Sequence, residues 1–428
     1  MQRYLGRLFA LRSHGTTVKT EILAGLTSYL TVVYVIAVNA AILFDAGIPY
    51  SAGMLATILS GCIGCLLMGL WANSPIVVFP GMGVNALFTY TIVHSLGLSW
   101  QEALAAVFVS GLIFTITAFT RYAAVLAQAI PQSLKEGITV GIGLFLTFIG
   151  LQKGGLVVPS ETTFVAIGHL DSPLALTTIL TLLLTVLLFA RNVTGTFLIA
   201  MGAGTLLAAL FGLVDFSGLS WAGVSFAEYA SVFGHLSFDR ITALPFWIAT
   251  FSLTMVVLFE NMGLLYGLLP KEKFQRSYQA NAISVITAGL LGTSPTISSA
   301  ESASGVAAGG KTGLTALTAG ILILGSVLFI PVMKVIPDSA IAPVLIVVGG
   351  LMLQSVKNIP FADFSEGFPA FLIIALIPLT YSIVDGIAFG FIAYPLIKLA
   401  LGRTKELSLP LCLISGLFLL GLVLGSRI

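Results

Sequence analysis

The stretch Phe79-Pro80-Gly81-Met82-Gly83-Val84-Asn85-Ala86 decides the reading of this chain. It has a counterpart further on, Gly292-Thr293-Ser294-Pro295-Thr296, followed by Ser298-Ser299-Ala300-Glu301-Ser302. Each puts proline and glycine at the start of an apolar run and continues with small residues. Proline lacks a backbone donor and glycine holds a helix poorly, so both segments break, leaving N–H and C=O groups without helical partners. Their setting matters, because only 8% of the 428 residues are charged and 57% are hydrophobic. A soluble domain is about 25% charged, and a chain this poor in charge could not cover its own core in water. The breaks therefore fall at membrane depth, where irregular backbone survives only when it is buried in protein or lines a cavity. This composition excludes a soluble enzyme, a disordered chain and a nucleic-acid binder. The net charge of +2 provides no basic surface for a phosphate backbone.

Working outward, a bilayer core of about 30 Å asks for about 20 apolar residues per helix. Spans are expected near 22–43, 52–71, 79–95, 101–122, 134–152, 174–190 and 195–214. A second series is expected near 242–268, 279–293, 298–309, 313–333, 340–354, 367–383 and 384–400, and a last apolar stretch, 408–426, spans or lies along the membrane. The chain is thus read as an all-α polytopic membrane protein of fourteen spans. A tail over 1–21 precedes a first repeat over 22–214, a second repeat covers 242–400, and a hydrophobic segment covers 401–428. With the N-terminus cytoplasmic, all basic residues fall on the cytoplasmic side except Lys153, Arg240, Lys334 and Arg427, as the positive-inside bias demands. Arg121 is among those expected inside. The start, 1–19, is polar and basic and does not read as a cleavable leader.

Because seven is odd, two series of seven spans make an inverted repeat. Pro131-Gln132-Ser133 with Gly141-Ile142-Gly143, and Pro337-Asp338-Ser339 with Gly349-Gly350, mark equivalent places in the halves. The broken segments are the third and tenth spans, again equivalent. Short, interrupted segments at corresponding positions point to a transporter's midplane binding site. The start of each half-helix supplies free N–H donors there, which directs attention to Gly83, Asn85 and Ala86 on one side and Ser299 and Ala300 on the other.

Acids at membrane depth are costly and mark function by default. Glu260 lies within the apolar run 251–269, Glu301 opens the tenth span, and Asp385 lies at the turn between the last two core spans. Glu260 and Glu301 can carry protons and can accept charge-assisted hydrogen bonds from ligand N–H groups. Two such acids beside helix-end donors suit a planar, uncharged, polar molecule. Thr27, Thr31 and Asn39 on the first span, and Asn261 beside Glu260, either line the cavity or bridge helices. The four histidines lack metal-ligand spacing, so no metal or cofactor is expected. Cys62 and Cys65 form a C-x-x-C inside an apolar span, where packing explains them better than redox chemistry. Gly305-Val306-Ala307-Ala308-Gly309-Gly310-Lys311-Thr312 matches the phosphate-cradling G-x-x-x-x-G-K-[ST] pattern, but no soluble α/β domain surrounds it. Close helix packing accounts for its glycines.

These motifs resemble those of the AzgA-like purine permeases, a branch of the nucleobase–cation symporter-2 family, over about residues 17–405. The matching stretches are Ala24-Gly25-Leu26-Thr27-Ser28-Tyr29-Leu30-Thr31, Pro80-Gly81-Met82-Gly83-Val84-Asn85-Ala86 and Gly141-Ile142-Gly143-Leu144-Phe145. Thr293-Ser294-Pro295, Glu301-Ser302-Ala303-Ser304-Gly305 and Gly309-Gly310-Lys311-Thr312-Gly313-Leu314 complete the match. The resemblance implies a uracil-permease-like seven-plus-seven inverted repeat. It divides the chain into a core domain (22–122 and 242–333) and a gate domain (134–214 and 340–400), with short strands opening spans three and ten. It further implies a purine base held between those segments and span eight, with Glu260, Glu301 and Asn85 in the family's binding positions and import coupled to protons. Span eight departs from the branch's usual D-x-x-D-T-x-G, having Val257 at the first acid and Glu260-Asn261 at the second; Ala40 replaces the proline after Asn39.

The expectation is a proton symporter importing purine bases into a bacterial cell across the inner membrane, guanine and hypoxanthine first and adenine within range. Substrate contacts are expected from Glu260, Glu301, Asn85, Ala86, Gly83, Ser299, Ala300 and Thr27, and proton coupling from Glu301 and Glu260. Tyr29, Phe79 and Phe88 are candidates for stacking on the ring. Partners are a purine base, protons and the lipid bilayer, with no nucleic acid; a homodimer is one assembly open to it. Xanthine, uric acid, uracil or a small anion remain alternative cargoes.

Overall fold

The computed structural model describes residues 2–120, 129–214 and 226–425. Arg121, Arg427 and part of the 215–241 loop lie outside the described residues. The helices, in chain order, begin with α1 (Gln2–Leu8), α2 (Val18–Val32), α3 (Val35–Asp45), α4 (Tyr50–Leu66), α5 (Met82–Ala86) and α6 (Trp100–Phe119). Next come α7 (Gln132–Lys153), α8 (Pro173–Ala190), α9 (Thr196–Leu210), α10 (Phe226–Ala230), α11 (Leu244–Leu268) and α12 (Lys271–Leu291). The last are α13 (Ser302–Ala307), α14 (Gly313–Gly325), α15 (Ile330–Met333), α16 (Asp338–Met352), α17 (Phe364–Thr380), α18 (Ile383–Ala400) and α19 (Leu409–Gly425). Among the described residues, nine helical stretches are long and apolar enough to cross a membrane, and three shorter apolar helices accompany them.

Both broken segments begin as strands. β1 (Val78–Pro80) pairs antiparallel with β4 (Thr296–Ser298), setting Val78 against Ser298, Phe79 against Ile297 and Pro80 against Thr296. A bond from Ser299 N–H to the Val77 carbonyl at 2.9 Å extends the ladder. Two three-residue strands satisfy each other's backbone where no water can. The chain then leaves each strand as a short helix: α5 runs on in π-helical form through Ser95, and α13 ends at Ala307. β1 can lie this deep because Gly61 on α4 faces Phe79; a Cβ there would meet the ring at 2.2 Å.

Other differences from the sequence reading have local causes. The apolar stretch expected from 279 belongs to a helix that begins eight residues earlier, since Lys271, Glu272, Lys273 and Gln275 extend α12 into a polar end. The first span is interrupted at Val33 and Tyr34, between α2 and α3. A hairpin of β2 (Val157–Ser160) and β3 (Phe164–Ile167) occupies what reads as a plain loop, with Phe164 at positive φ closing the turn.

The helices pack as two bundles. In one, α2 packs on α14, α3 on α4, and α6 on α11 and α12. In the other, α7 packs on α16 and α17, α8 on α9 and α16, and α17 on α18. The β1–β4 pair belongs to the first bundle, and α5 touches the second at α7.

Candidate functional site

Between the bundles lies a cavity of about 670 Å³. One wall is Phe79, Gly81, Met82 and Gly83 from β1 and α5; another is Ile297, Ser299, Ala300 and Glu301 from β4 and the approach to α13. α11 adds Val256, Phe259 and Glu260, and the second bundle closes the space with Ile138, Thr139 and Ile142 of α7 and Val348 and Met352 of α16. The lining is mainly apolar with a few converging polar groups, the usual make-up of a small-molecule site. Gly83 allows α7 to approach, as a Cβ would come within 2.7 Å of Ile142.

The two acids stand in different circumstances. Glu301 is held on both oxygens: Tyr34 Oη donates to Oε1 at 2.7 Å and Ser299 Oγ donates to Oε2. Glu260 faces the same cavity with no hydrogen-bond partner among the described residues. Beside it, the Lys135 ammonium stands 5.5 Å from the centre of the Phe259 ring.

Asn261 turns the other way. Its Oδ1 accepts from the Ser298 N–H at 2.7 Å, its Nδ2 donates to the Val257 carbonyl at 2.8 Å, and the Asn281 amide meets it at 2.6 Å. It ties α11 to β4 and so sets the height of Glu260 relative to the strand. Asn39 likewise bridges elements, donating to Thr57 and Thr293 and accepting from Ser294.

Of the other residues singled out in the sequence, Gly83, Ser299 and Ala300 line the cavity, while Asn85, Ala86 and Thr27 stand outside its lining. Asn85 is fully buried, with its amide 3.4 Å from the Asn39 carbonyl. Thr27 bonds back to Leu23 on its own helix at 3.0 Å. Phe79 is the stacking candidate on the wall; Tyr29 and Phe88 are not, and Asp385 is also away from it.

The Lys311-Thr312 end of the P-loop-like segment is already committed. The buried carboxylate of Glu21 accepts from Lys311 N–H at 3.0 Å, Thr312 N–H at 3.2 Å and Thr315 Oγ1 at 2.6 Å. The protein's own anion occupies two backbone donors at the end of that motif, those of Lys311 and Thr312. Cys62 and Cys65 are buried free thiols. Among the described residues, no cluster of three potential metal ligands exists.

The cavity reaches the helix ends carrying Gln132, Lys135, Glu136, Ser355 and Asn358. At the opposite end the bundles are joined. Lys153 bridges Asp45 at 2.9 Å and Asp338 at 3.6 Å, and Tyr90 Oη donates to Asp45 at 2.6 Å. Tyr90 also packs edge-on against Tyr381, centroids 5.7 Å apart. The space is therefore open on one side and latched on the other.

Sequence reasoning missed Tyr34, Glu21 and the Asp45–Lys153 latch. Tyr34 had a signal: it is the lone hydroxyl in Val32-Val33-Tyr34-Val35-Ile36. Glu21 and Lys153 could be read only as residues at span ends, because their partners are remote in sequence.

A multi-helix membrane fold with a polar cavity between broken segments is that of a transporter rather than an enzyme. Residues 19–389 match the Xan_ur_permease family, described as a permease family, and the chain belongs to it. Similar proteins include a nucleobase transporter, PlAzg2, of Paenibacillus larvae (48% identical, covering 88% of this chain and 77% of that one). A guanine/hypoxanthine permease, PbuO, of Bacillus subtilis is 38% identical over 94% of this chain and 96% of its own length. An adenine permease, AdeP, of Escherichia coli is 37% identical over 99% and 96%. Among solved structures, the transmembrane domain of a cyanobacterium bicarbonate transporter, BicA, superimposes with a TM-score of 0.65 at 15% identity, covering 86% of this chain and 97% of that one. That likeness establishes the fold alone.

Proposed function

We propose that this chain is a secondary active transporter that imports purine nucleobases by proton symport, with guanine and hypoxanthine preferred and adenine accepted. The observation that carries the reading is Glu260, a carboxylate without a hydrogen-bond partner among the described residues, facing a cavity between two broken segments. Ring and exocyclic N–H groups of a base would give it the hydrogen bonds it lacks. The second acid, Glu301, discourages anionic cargo and favours a neutral ring. Phe79 and Met82 offer apolar surface for the face of a purine.

The relatives' names support the cargo class: they are transporters of nucleobases, of guanine and hypoxanthine, and of adenine. We take Glu301 and Glu260 as the proton-coupling groups and Gly83, Ser299 and Ala300 as the backbone side of the substrate site. Asn85, Ala86 and Thr27 we place in support of that site rather than in contact with cargo.

The architecture is read as fourteen spans in a seven-plus-seven inverted repeat, with the β1-to-α5 and β4-to-α13 segments as its paired centres. The first bundle is then the core and the second the gate. The open end of the cavity, with Lys135, is the cytoplasmic side, and the Asp45–Lys153 latch closes the outside. Transport follows from movement of the core against the gate, which exposes one site to each side in turn. The setting is a bacterial inner membrane with the N-terminus inside.

The test is uptake of radiolabelled guanine, hypoxanthine, adenine, xanthine and uracil into cells lacking their own base permeases, with and without a protonophore. Purine uptake that the protonophore abolishes supports the reading. Uptake of uracil or xanthine in preference to guanine, hypoxanthine and adenine overturns the cargo, and indifference to the protonophore overturns the coupling.

A further inference from the structure

We infer that Tyr34 is a positioning residue for the substrate site: it fixes the Glu301 carboxylate from behind the cavity and carries that constraint across to the second bundle. The inference deepens the proposed function and rests on Glu301 binding the base.

Three observations converge on this side chain. Tyr34 is 1% exposed and does not line the cavity, yet its hydroxyl donates to Glu301 Oε1 at 2.7 Å. It stands at the interruption between α2 and α3, where Ile36 N–H turns back to the Val33 carbonyl at 3.2 Å rather than continuing the α pattern. Its ring also meets Phe197 of α9, in the other bundle, with centroids 4.8 Å apart.

A glutamate has three rotatable side-chain torsions, and Glu301 opens the short α13 at the edge of a space large enough to let it turn. Ser299 restrains Oε2 from two residues away, a local contact that moves with the segment. Tyr34 restrains Oε1 from a remote element, so it defines where the carboxylate points relative to the fold. A hydrogen bond to a charged group held in low dielectric is among the stronger single restraints available. The hydroxyl and the ring have separable duties: the first orients the acid, the second rests on the gate helix.

The experiment compares Tyr34→Phe with wild type in hypoxanthine uptake at matched protein abundance in the membrane, and compares Tyr34→Phe, Glu301→Gln and their combination in equilibrium binding of hypoxanthine to purified protein. Phenylalanine keeps the ring and its Phe197 contact and removes only the hydroxyl. The expected result is a KM raised about tenfold with Vmax within about twofold of wild type, and a further cost in binding of less than about threefold when the change is made in Glu301→Gln. An unchanged KM in Tyr34→Phe, a fall in Vmax at constant KM, or the same fold loss of binding in both backgrounds overturns the inference. If Glu301→Gln alone leaves hypoxanthine binding unchanged, the fault lies instead with Glu301 as a substrate-binding group.

Discussion

Replacing Glu260 with glutamine keeps the side chain's shape and removes its charge. In the wild type the carboxylate faces the cavity without a hydrogen-bond partner among the described residues, and on the proposed function cargo N–H groups satisfy it. Hydrogen bonds to a charged group contribute about 1.5–3 kcal/mol each. Glutamine retains one carbonyl oxygen but turns an NH₂ towards a donor edge, so about 2–3 kcal/mol of binding is expected to go. That corresponds to roughly a 30- to 150-fold weaker Kd. The assay is equilibrium binding of radiolabelled hypoxanthine to purified protein, with Asp385→Asn as the control acid outside the cavity. The reasoning is refuted if Glu260→Gln binds hypoxanthine within about threefold of wild type while remaining folded. It is equally refuted if Asp385→Asn weakens binding as much.

Three further outcomes follow from other parts of the fold. Gly61→Ala forces a Cβ to 2.2 Å from the Phe79 ring, so β1 must shift; a loss of about 1–3 kcal/mol and a lower melting temperature are expected in a thermal-shift measurement. Lys153→Met removes the bridge to Asp45 across the bundles, which at about 1 kcal/mol moves the conformer ratio about fivefold away from the open side seen here. A cysteine introduced at Thr139 in a cysteine-free background then reacts more slowly with a maleimide in inside-out vesicles, in proportion to the fall in the open fraction. At the exposed turn before α17, bonds from Ser365 and then Arg403 hold the Asp363 carboxyl down at about 2. Its folded value is below its unfolded one, so its stabilisation is present above about pH 4 and lost as pH falls towards 2. Asp363→Asn should therefore lower thermal stability slightly at pH 7, and the gap to wild type should close at about pH 2.

The large-scale outline was legible because membrane composition leaves few choices. Proline and glycine in Pro80-Gly81 and Ser294-Pro295 announce a break that the bilayer tolerates only around a cavity, and the structure has β1 and β4 there. Glu260 and Glu301 stood out by depth alone, since an acid in an apolar run is conspicuous whatever its neighbours. Rotation about a helix axis was not legible. α11 is apolar almost all round, so nothing in Phe259-Glu260-Asn261 indicates that Glu260 faces the cavity while Asn261 reaches back to Ser298. The same ambiguity left Thr27 and Asn85 open, one bonded to its own helix and the other packed on Asn39. Tyr34 escaped because the interruption at Val33 and Tyr34 contains neither proline nor glycine. The Glu21 clasp escaped because the donors it satisfies lie 290 residues away.

The central claim is that a purine base and a proton move together through the cavity bearing Glu260 and Glu301. Purified protein reconstituted into liposomes, given an imposed pH gradient and radiolabelled hypoxanthine, tests it most directly. The account predicts accumulation above the external concentration only when the outside is the more acidic, with collapse on adding a protonophore. Hypoxanthine that merely equilibrates, at the same rate with and without the gradient, would contradict it.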